Sequence, residues 1–372
     1  MSTTECVLNG VEMAKEISNK KKYKHTPLDR LFRYAEILKF GEVHIKFDPA
    51  TGLKAIVAIH NLNRGPAIGG CRMIHYDTSD EALEDALRLG NMMSLKSAIS
   101  NLAHGGAKAV LMKPKVIKDR EAYFEAFGDF VEALGGRYIT AVDSGTHAND
   151  MDIIARRTQF VTCTSDSKNS GDPSPHTAHG VLRGIEAAVK FKLNRDSLEG
   201  VHVSIQGAGH VGYYLMKELH QHGARMTVCD VNPVNLQKCV DEFGVATCGR
   251  DEIFDIKADV FAPCALGASL NHDTINRLNV SIVAGSANNQ LAHSKHAWIM
   301  HERGILYAPD FVINAGGLIH VAVIYDHADL EESKEQIGNI YYTLMEIFER
   351  AKRENSSTHD VAEKMAREKL NV

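Results

Sequence analysis

The sequence predicts a two-domain α/β protein in which one domain contains a parallel, doubly wound sheet. A chain of 372 residues is long enough to bury two hydrophobic cores. In the second half, short apolar segments alternate with amphipathic helical segments, the order that produces a parallel sheet with helices on both faces. A glycine turn in residues 204–212 joins one of these strands to a helix, and the other elements can be placed relative to it.

The first half is predicted to form a smaller α/β unit. Residues 48–52 are rich in turn formers and join two apolar segments, which we interpret as a β-hairpin. The glycines within residues 65–70 are interpreted as a loop. The predicted helices cover residues 27–39, 79–96, 120–134 and 151–157, and the predicted strands cover residues 42–47, 53–60, 109–112, 137–141 and 160–164.

The second half begins after a polar segment, residues 164–175, which we expect to be a hinge. The predicted strands cover residues 201–205, 225–229, 259–263, 281–284 and 305–307. The predicted helices cover residues 176–190, 213–222, 318–326, 337–352 and 359–370. The expected domain limits are 1–26 for a flexible N-terminal extension, 27–165 for the first domain, 166–335 for the second, and 336–372 for helices that return to the first.

The glycine turn has the spacing of a dinucleotide-binding fingerprint. Gly207 allows a tight turn, Gly209 lets the backbone approach a pyrophosphate, and Gly212 lets the helix pack closely on its strand. The helix N-terminus then offers free amide donors to the phosphates. Asp230 ends the next strand, where a carboxylate accepts hydrogen bonds from a ribose diol and repels a 2′-phosphate. Because no Arg or Lys follows in residues 231–233, the sequence predicts NAD rather than NADP.

Composition argues against several classes of partner and site. A formal net charge of −5 gives no reason to expect nucleic acid or a membrane as a partner. No apolar segment approaches the ~20 residues that span a bilayer, and residues 1–6 lack the features of a secretory signal. The basic run in residues 20–25 is interpreted as a solvated linker. The seven cysteines lack paired metal-ligand spacing, so we expect reduced thiols in the cytoplasm and no metal site.

Two ionisable residues lie near glycines and strand ends, where the second site of a nicotinamide enzyme is expected. Lys108 follows two glycines and an alanine and enters an apolar strand. A dry environment there would disfavour its ammonium form and lower its pKa towards that of a general base. Asp143 directly follows another apolar segment and could relay the proton. Taken singly, each is more often a salt-bridging surface residue, and Lys96, in the last turn of its helix, is more often a solvated cation.

Eight segments, taken together, strengthen the functional interpretation of Lys96, Lys108 and Asp143. They are GPAIGGCRM at 65–73, SLKSA at 94–98, HGGAKAV at 104–110, TAVDSGT at 140–146, DPSPHTAHG at 172–180, APCALGA at 262–268, AGSANNQL at 284–291 and NAGGLI at 314–319. In this order they resemble the glutamate/leucine/phenylalanine/valine dehydrogenase family, and within it the leucine-specific members. The resemblance covers residues 33–323.

The resemblance implies an enzyme with two domains separated by a cleft. The first would bind substrate and mediate homo-oligomerisation, and the second would be a Rossmann-type NAD-binding domain. The implied reaction is the reversible oxidative deamination of a small-molecule substrate, an L-amino acid, to a 2-oxo acid and ammonia. In this reaction Lys96 would bind the substrate α-carboxylate, Lys108 would be the catalytic lysine, and Asp143 would move protons to and from the reacting nitrogen.

Further contacts are also implied by the resemblance alone. Gly69 and Gly70 would line the substrate site. Thr177 resembles the residue that contacts the nicotinamide carboxamide, and Asn288 resembles the asparagine near the nicotinamide ribose and the substrate.

The side-chain pocket is expected to be apolar. Ile68 stands where glutamate-specific relatives carry a lysine, so the second carboxylate of glutamate would be buried without a cation. The other pocket residues that can be matched are Met93, Ala141, Leu318 and Val321. Ala141 favours branched aliphatic substrates, whereas Leu318 resembles the residue of phenylalanine-specific members. Since one methylene is worth only about 1–3 kcal/mol, the sequence does not rank leucine, valine and isoleucine.

Two alternatives stay open at this point. The first is a phenylalanine or other aromatic amino-acid dehydrogenase. The second is a catalytically silent relative that binds NAD or a metabolite. It is motivated by residues 320–325, where His320 replaces an amide and an apolar segment replaces an acidic pair. Retention of Lys96, Lys108, Asp143 and Asn288 argues against a silent relative.

Overall fold

The structure is a computed structural model that describes residues 27–165, 172–265, 267–326 and 330–371. The expected extension at 1–26, including its basic run, lies outside the described residues, as do residues 166–171 of the expected hinge. Two sheets with helices around them form the described chain, which confirms the predicted two-domain α/β class. Within the described residues, no helix is long and apolar enough to cross a membrane.

The first sheet has five strands in the order β1-β2-β4-β3-β5. They are β1 Glu42–Asp48, β2 Leu53–Asn61, β3 Ala67–Ile74, β4 Gly105–Met112 and β5 Tyr138–Val142. The pairs β1–β2 and β2–β4 are antiparallel, whereas β3 runs parallel to both β4 and β5. The predicted hairpin is therefore confirmed. In place of the predicted strand at 160–164, the structure has one isolated bridge between Thr140 and Val161.

Four helices accompany this sheet. They are α1 Pro27–Leu38, α2 Ser79–Ile99, α3 Arg120–Ala133 and α4 Ala148–Ala155. Helix α2 begins after Thr78, whose side chain accepts a hydrogen bond from the backbone N–H of Glu81 and so caps the helix. It packs along the interior strands β4 and β2 and carries Lys96 in its last turn.

The interpretation of residues 65–70 as a loop was wrong. Gly69 and Gly70 lie inside β3, and the strand predicted to start at residue 109 starts at Gly105. These glycines belong to strands because neighbouring backbone leaves no room for a side chain. A Cβ at Gly69 would collide with the carbonyl oxygen of Ala107, and a Cβ at Gly106 would collide with the backbone of Ser94 in α2.

The second sheet has six parallel strands in the order β11-β10-β9-β6-β7-β8. They are β6 His202–Gln206, β7 Arg225–Cys229, β8 Ala246–Thr247, β9 Val260–Pro263, β10 Ile282–Val283 and β11 Leu306–Tyr307. The helices of this half are α5 Ser174–Leu193, α6 His210–Gln221, α7 Pro233–Phe243, α8 His272–Arg277, α9 Lys295–Glu302, α10 Asp310–Ile313, α11 Gly316–Tyr325 and α12 Leu330–Gly338. The order of strands confirms the predicted doubly wound sheet.

The last two helices, α13 Ile340–Glu354 and α14 Thr358–Leu370, join the two halves. Helix α13 packs on α5, and α14 packs on α2. The side-chain amide of Asn63 donates to the carbonyl oxygen of Leu370 at 3.0 Å. On its other side α14 contacts α9, where the indole N–H of Trp298 donates to Asp360 at 2.6 Å.

Candidate active site

A buried ion pair lies on the first sheet, between the central strand β4 and the residue that follows β5. Lys108 in β4 is only 6% exposed, and its Nζ contacts Oδ2 of Asp143, the residue that follows β5. Gly70 pairs with Ala141 across β3 and β5, and a Cβ at Gly70 would approach the Asp143 Cβ to 2.8 Å. The second glycine of the pair therefore makes room for the carboxylate. The structure brings Gly70, Ala141, Lys108 and Asp143 together.

The position of the lysine favours its neutral form. Burial lowers the pKa of Lys108 to about 7, and the positive charges of Arg72 and Lys96 act in the same direction. Contact with Asp143 opposes them because a carboxylate favours the ammonium form. A lysine with this balance can exchange a proton near neutral pH, which is what a general base requires.

The loop after β5 fixes the carboxylate in place. The Asp143 backbone N–H donates to Oγ1 of Thr146 at 3.0 Å, and the Thr146 hydroxyl in turn reaches the carbonyl oxygen of Cys71 at 3.0 Å. The Ser144 N–H donates to Oδ1 of Asp143 at 2.5 Å. Sequence reasoning missed Thr146, although it ends the TAVDSGT segment.

Lys96 is not the solvated cation that its helix position suggests. Burial lowers the pKa of Lys96 to about 8, while the negative charge of Asp310 opposes that shift. Asp310 is itself buried at the start of α10, where its carboxylate accepts the backbone N–H groups of Gln290 at 3.0 Å and Phe311 at 2.8 Å. Lys96 of the first domain thus interacts electrostatically with Asp310 of the second domain. No local sequence pattern indicates this interaction.

The proposed pocket residues divide between the two halves. Ile68 is 1% exposed in the core of the first sheet, and Met93 is half-buried one turn before Lys96 in α2. Leu318 is half-buried and Val321 is buried, both in α11 of the second half. The structure gives no hydrogen bond between the described first-half and second-half site residues. It links the halves instead through His104, whose Nε2 lies 3.0 Å from Oδ2 of Asp326 at the end of α11.

The glycine turn leaves space where a ligand is expected. Gly207 has φ of 109°, a conformation that favours glycine, and a Cβ at Gly212 would collide with the carbonyl oxygen of Gly207. Among the residues that the structure describes, a Cβ at Gly209 would meet nothing within 4 Å. No described side chain caps the N-terminus of α6, so its amide donors can accommodate an anion. Asp230 accepts the Ala208 N–H at 2.5 Å. These features fit a dinucleotide.

Thr177 and Asn288 each contact the segment of residues 314–317 in the second half. Thr177 Oγ1 donates to the carbonyl oxygen of Pro173 at 3.1 Å and packs against Gly317 at the start of α11. Asn288 is exposed, and its Oδ1 accepts from the Asn314 side-chain amide at 2.8 Å. Asn314 was missed by sequence reasoning, although it begins the NAGGLI segment.

Residues 320–325 lie in α11, where His320 packs against other helices of the second half. The segment from His320 to Ile324 is buried within α11. The His320 ring stacks on His176 with centroids 3.5 Å apart, and its Nδ1 lies 3.0 Å from Oγ of Ser333. Burial and the nearby His320 lower the pKa of His176 to about 4. The unusual residues therefore fill the core between α5, α11 and α12.

Two family models match this chain. Residues 39–160 match the model described as Glu/Leu/Phe/Val dehydrogenase, dimerisation domain. Residues 234–369 match the model described as Glutamate/Leucine/Phenylalanine/Valine dehydrogenase.

Individual proteins are similar over most of the chain. Leucine dehydrogenase from Thermoactinomyces intermedius is 45% identical over 92% of this chain and 94% of its own length. L-tryptophan dehydrogenase from Nostoc punctiforme is 41% identical over 86% of this chain and 90% of its own length. The crystal structure of L-tryptophan dehydrogenase from Nostoc punctiforme superposes with a TM-score of 0.81 at 38% identity, covering 91% of this chain and 98% of that chain.

Proposed function

The chain belongs to the Glu/Leu/Phe/Val dehydrogenase family and is an amino-acid dehydrogenase, and we propose that it oxidises branched-chain L-amino acids with NAD as the hydride acceptor. The observation that carries this proposal is the buried Lys108–Asp143 pair next to apolar residues of the first sheet. Leucine dehydrogenases at 45% identity support the branched-chain assignment.

Ile68 supports a substrate with an apolar side chain. The register pairs Ile68 with Gly106, two residues before Lys108, so Ile68 and Lys108 lie on the same face of the sheet. In this proposal the fully buried Ile68 side chain forms part of the floor of the substrate pocket. A glutamate side chain reaching this floor would lose water without gaining a cation, at a free-energy cost of several kcal/mol.

Four groups share the proposed chemistry. Lys96 binds the substrate α-carboxylate, and Asp143 accepts a proton from the substrate ammonium. NAD would be held at the glycine turn and Asp230 and would supply the hydride acceptor, so that loss of hydride from Cα would leave a protonated imine. Lys108, as the free amine, takes a proton from water while the water oxygen adds to the imine carbon. Asp143 then returns its proton to the nitrogen. As the C–N bond breaks, the hydroxyl proton passes back to the Asp143 carboxylate, ammonia and the 2-oxo acid are released, and the protons on Lys108 and Asp143 pass to solvent. The Lys108–Asp143 contact supports proton exchange between the two groups.

NAD is proposed over NADP because of Asp230. Its carboxylate lies at the end of β7 and already contacts the glycine turn at Ala208. A 2′-phosphate at this position would meet a negative charge with no compensating cation in residues 231–233. In this assignment Gly207, Gly209 and Gly212 surround the pyrophosphate, and Thr177 and Asn288 contact the nicotinamide half.

We also propose that the enzyme is a homo-oligomer. Residues 39–160 match a dimerisation domain, and β1 is an edge strand with Ile45 and Phe47 exposed. The domain limits of 27–165, 166–335 and 336–372 belong to the same proposal. The cysteines that the structure describes are free thiols, which supports the cytoplasm as the location.

An aromatic substrate is the second candidate. Leu318 favours it, since this residue resembles the phenylalanine-type choice and is half-buried in α11. The similarity to an L-tryptophan dehydrogenase points the same way. The match to the family model and the 45% identity to a leucine dehydrogenase support an enzyme rather than a silent relative.

Initial rates of NADH formation test the proposal. We expect the highest kcat/KM with leucine, valine or isoleucine and NAD, much lower values with glutamate, and lower values for every substrate with NADP. Higher kcat/KM with phenylalanine or tryptophan would favour the aromatic alternative. In that case Leu318→Val should reduce the aromatic preference. No turnover with any of these amino acids would contradict the proposal.

A further inference from the structure

Arg72 connects the reacting pair to a second carboxylate. It lies in β3, and the register pairs it with Val110, two residues after Lys108. Its side chain therefore emerges on the same face of the sheet as Lys108. One terminal nitrogen donates to Oδ2 of Asp85 at 3.0 Å, and the other lies 3.6 Å from Oδ1 of Asp143.

Asp85 in α2 holds the guanidinium in this position. Its carboxylate also accepts the Tyr76 hydroxyl at 2.6 Å and the Arg88 guanidinium at 2.9 Å. Burial alone would raise the pKa of Asp85, but the Tyr76 hydrogen bond and the charge of Arg72 lower it. Asp85 is therefore ionised, and one arm of Arg72 is anchored while the other points at Asp143.

Asp143 is thus held from two sides. Lys108 contacts Oδ2, whereas Arg72 and the Ser144 N–H approach Oδ1. Within the described residues, the buried Nε of Arg72 has no hydrogen-bond partner. Arg72 thus holds a permanent positive charge between Asp85 and Asp143, and this charge also acts on Lys108.

We propose that Arg72 is a positioning residue of the dehydrogenase reaction, which orients Asp143 towards Lys108 and keeps a permanent positive charge beside the lysine so that it acts as a free amine. This inference rests on the proposed function and deepens it. None of the roles implied by the resemblance involves Arg72, although the residue lies within the GPAIGGCRM segment.

The charges around Lys108 determine whether its pKa rises or falls when Arg72 is removed. The charged groups that surround it are Asp143 after β5, Arg72 in β3, and Lys96 and Asp85 in α2, whereas the Cys71 thiol lies on the opposite face of the sheet. The two cations lower the pKa of Lys108, and Asp85 raises it. Contact with Asp143 also favours the ammonium form. Since burial and then Arg72 are the two largest influences, removing the guanidinium should let the ammonium form persist to higher pH.

The test is the pH dependence of kcat/KM for leucine oxidation in Arg72→Met. In the wild type, activity should fall as the pH drops through the pKa of Lys108 near 7, because the ammonium cannot accept a proton. In Arg72→Met this acid limb should move up by roughly one pH unit, with a loss of about tenfold at neutral pH that is largely recovered in alkali.

Two variants separate charge from structure. Arg72→Lys keeps the charge, so its acid limb should stay near that of the wild type. Arg88→Met removes a different guanidinium from the same Asp85 and should leave the limb in place. An unmoved limb in Arg72→Met, or an equal shift in Arg88→Met, would overturn the inference. If Arg72→Met does not fold, Arg72→Lys becomes the test. A shift of its acid limb, despite the retained charge, would then overturn the inference.

A second measurement does not depend on turnover. The rate of Lys108 acetylation by acetic anhydride, followed by peptide mass spectrometry across pH, reports the free amine directly. Its midpoint should rise in Arg72→Met and not in Arg88→Met. A wild type that oxidises no amino acid would defeat the proposed function, while this midpoint would still decide the role of Arg72.

Discussion

The two sheets use glycine for opposite purposes. In the first sheet, Gly69, Gly70 and Gly106 lie inside strands and let backbone, helix and the Asp143 side chain pack where a Cβ would collide. In the second sheet, Gly207 and Gly209 lie in a turn after β6, and Gly209 faces open space. One cluster is filled by the protein itself, and the other is left for a ligand.

This difference separates two kinds of chemistry. The filled cluster brings a buried lysine and a carboxylate together, so its reactivity depends on side-chain protonation. The open cluster presents backbone donors and a helix N-terminus, so the cofactor binding proposed for it does not depend on a proton transfer. Substitutions in the first sheet should therefore change turnover, and substitutions in the second should change cofactor affinity.

The largest effect is expected for Lys108→Ala. Loss of the proposed base should lower kcat by about a thousandfold or more, because general base catalysis contributes on the order of 10²–10⁴. Affinity for NADH, measured by calorimetry, should stay within a factor of two or so of the wild type. The matched control is Lys113→Ala. Lys113 is exposed and directly follows β4, and its replacement should leave turnover normal. Normal turnover of Lys108→Ala would remove the proposed base.

Gly70→Ala should have the next largest effect. The new methyl group would press on Asp143 Cβ at 2.8 Å and on the Val142 carbonyl oxygen at 2.7 Å, so the carboxylate must move. We expect kcat to fall by about a hundredfold and the free energy of unfolding to drop by about 1–3 kcal/mol. Gly41→Ala serves as control, since its Cβ would make ordinary contacts at 3.5 Å. Full activity in Gly70→Ala would show that the position of Asp143 is not critical.

A smaller effect is expected for Asp230→Ala. Loss of the carboxylate should weaken NAD binding by about tenfold and narrow the preference over NADP, because a hydrogen bond to a charged group is worth about 1.5–3 kcal/mol. The ratio of kcat/KM values for the two cofactors measures this change. Asp241→Ala, an exposed carboxylate on α7, should leave the ratio unchanged. An unaltered ratio in Asp230→Ala would mean that Asp230 does not contact the ribose.

The smallest change is expected for Gly209→Ala. No described atom lies within 4 Å of the new methyl group. The midpoint of thermal unfolding should therefore stay the same or rise slightly. Affinity for NADH should nevertheless fall several-fold, because the methyl group occupies space that the pyrophosphate needs. Unchanged affinity would place the cofactor elsewhere, and a large loss of stability would show that the space is not open.

The same contrast explains what could be predicted from sequence. The turn at Gly207 and the strand Arg225–Cys229 are local features, and the structure has them where the pattern indicates. The segment of β3 that contains Gly69 and Gly70 was interpreted as a loop. Two consecutive glycines interrupt the alternation of apolar and polar side chains that identifies a strand. The charge of Asp310 near Lys96 and the contact of His104 with Asp326 join residues far apart in the chain, so no local pattern contains them.

The single tryptophan of the chain, Trp298, is a fluorescent marker at the contact between α9 and α14. Trp298 donates to Asp360 in α14, and α14 packs on α2, the helix that carries Lys96. Detachment of α14 would remove the hydrogen bond and expose more of the indole to water, which shifts its emission to longer wavelength. Intrinsic fluorescence therefore follows the docking of the C-terminal helix without any label.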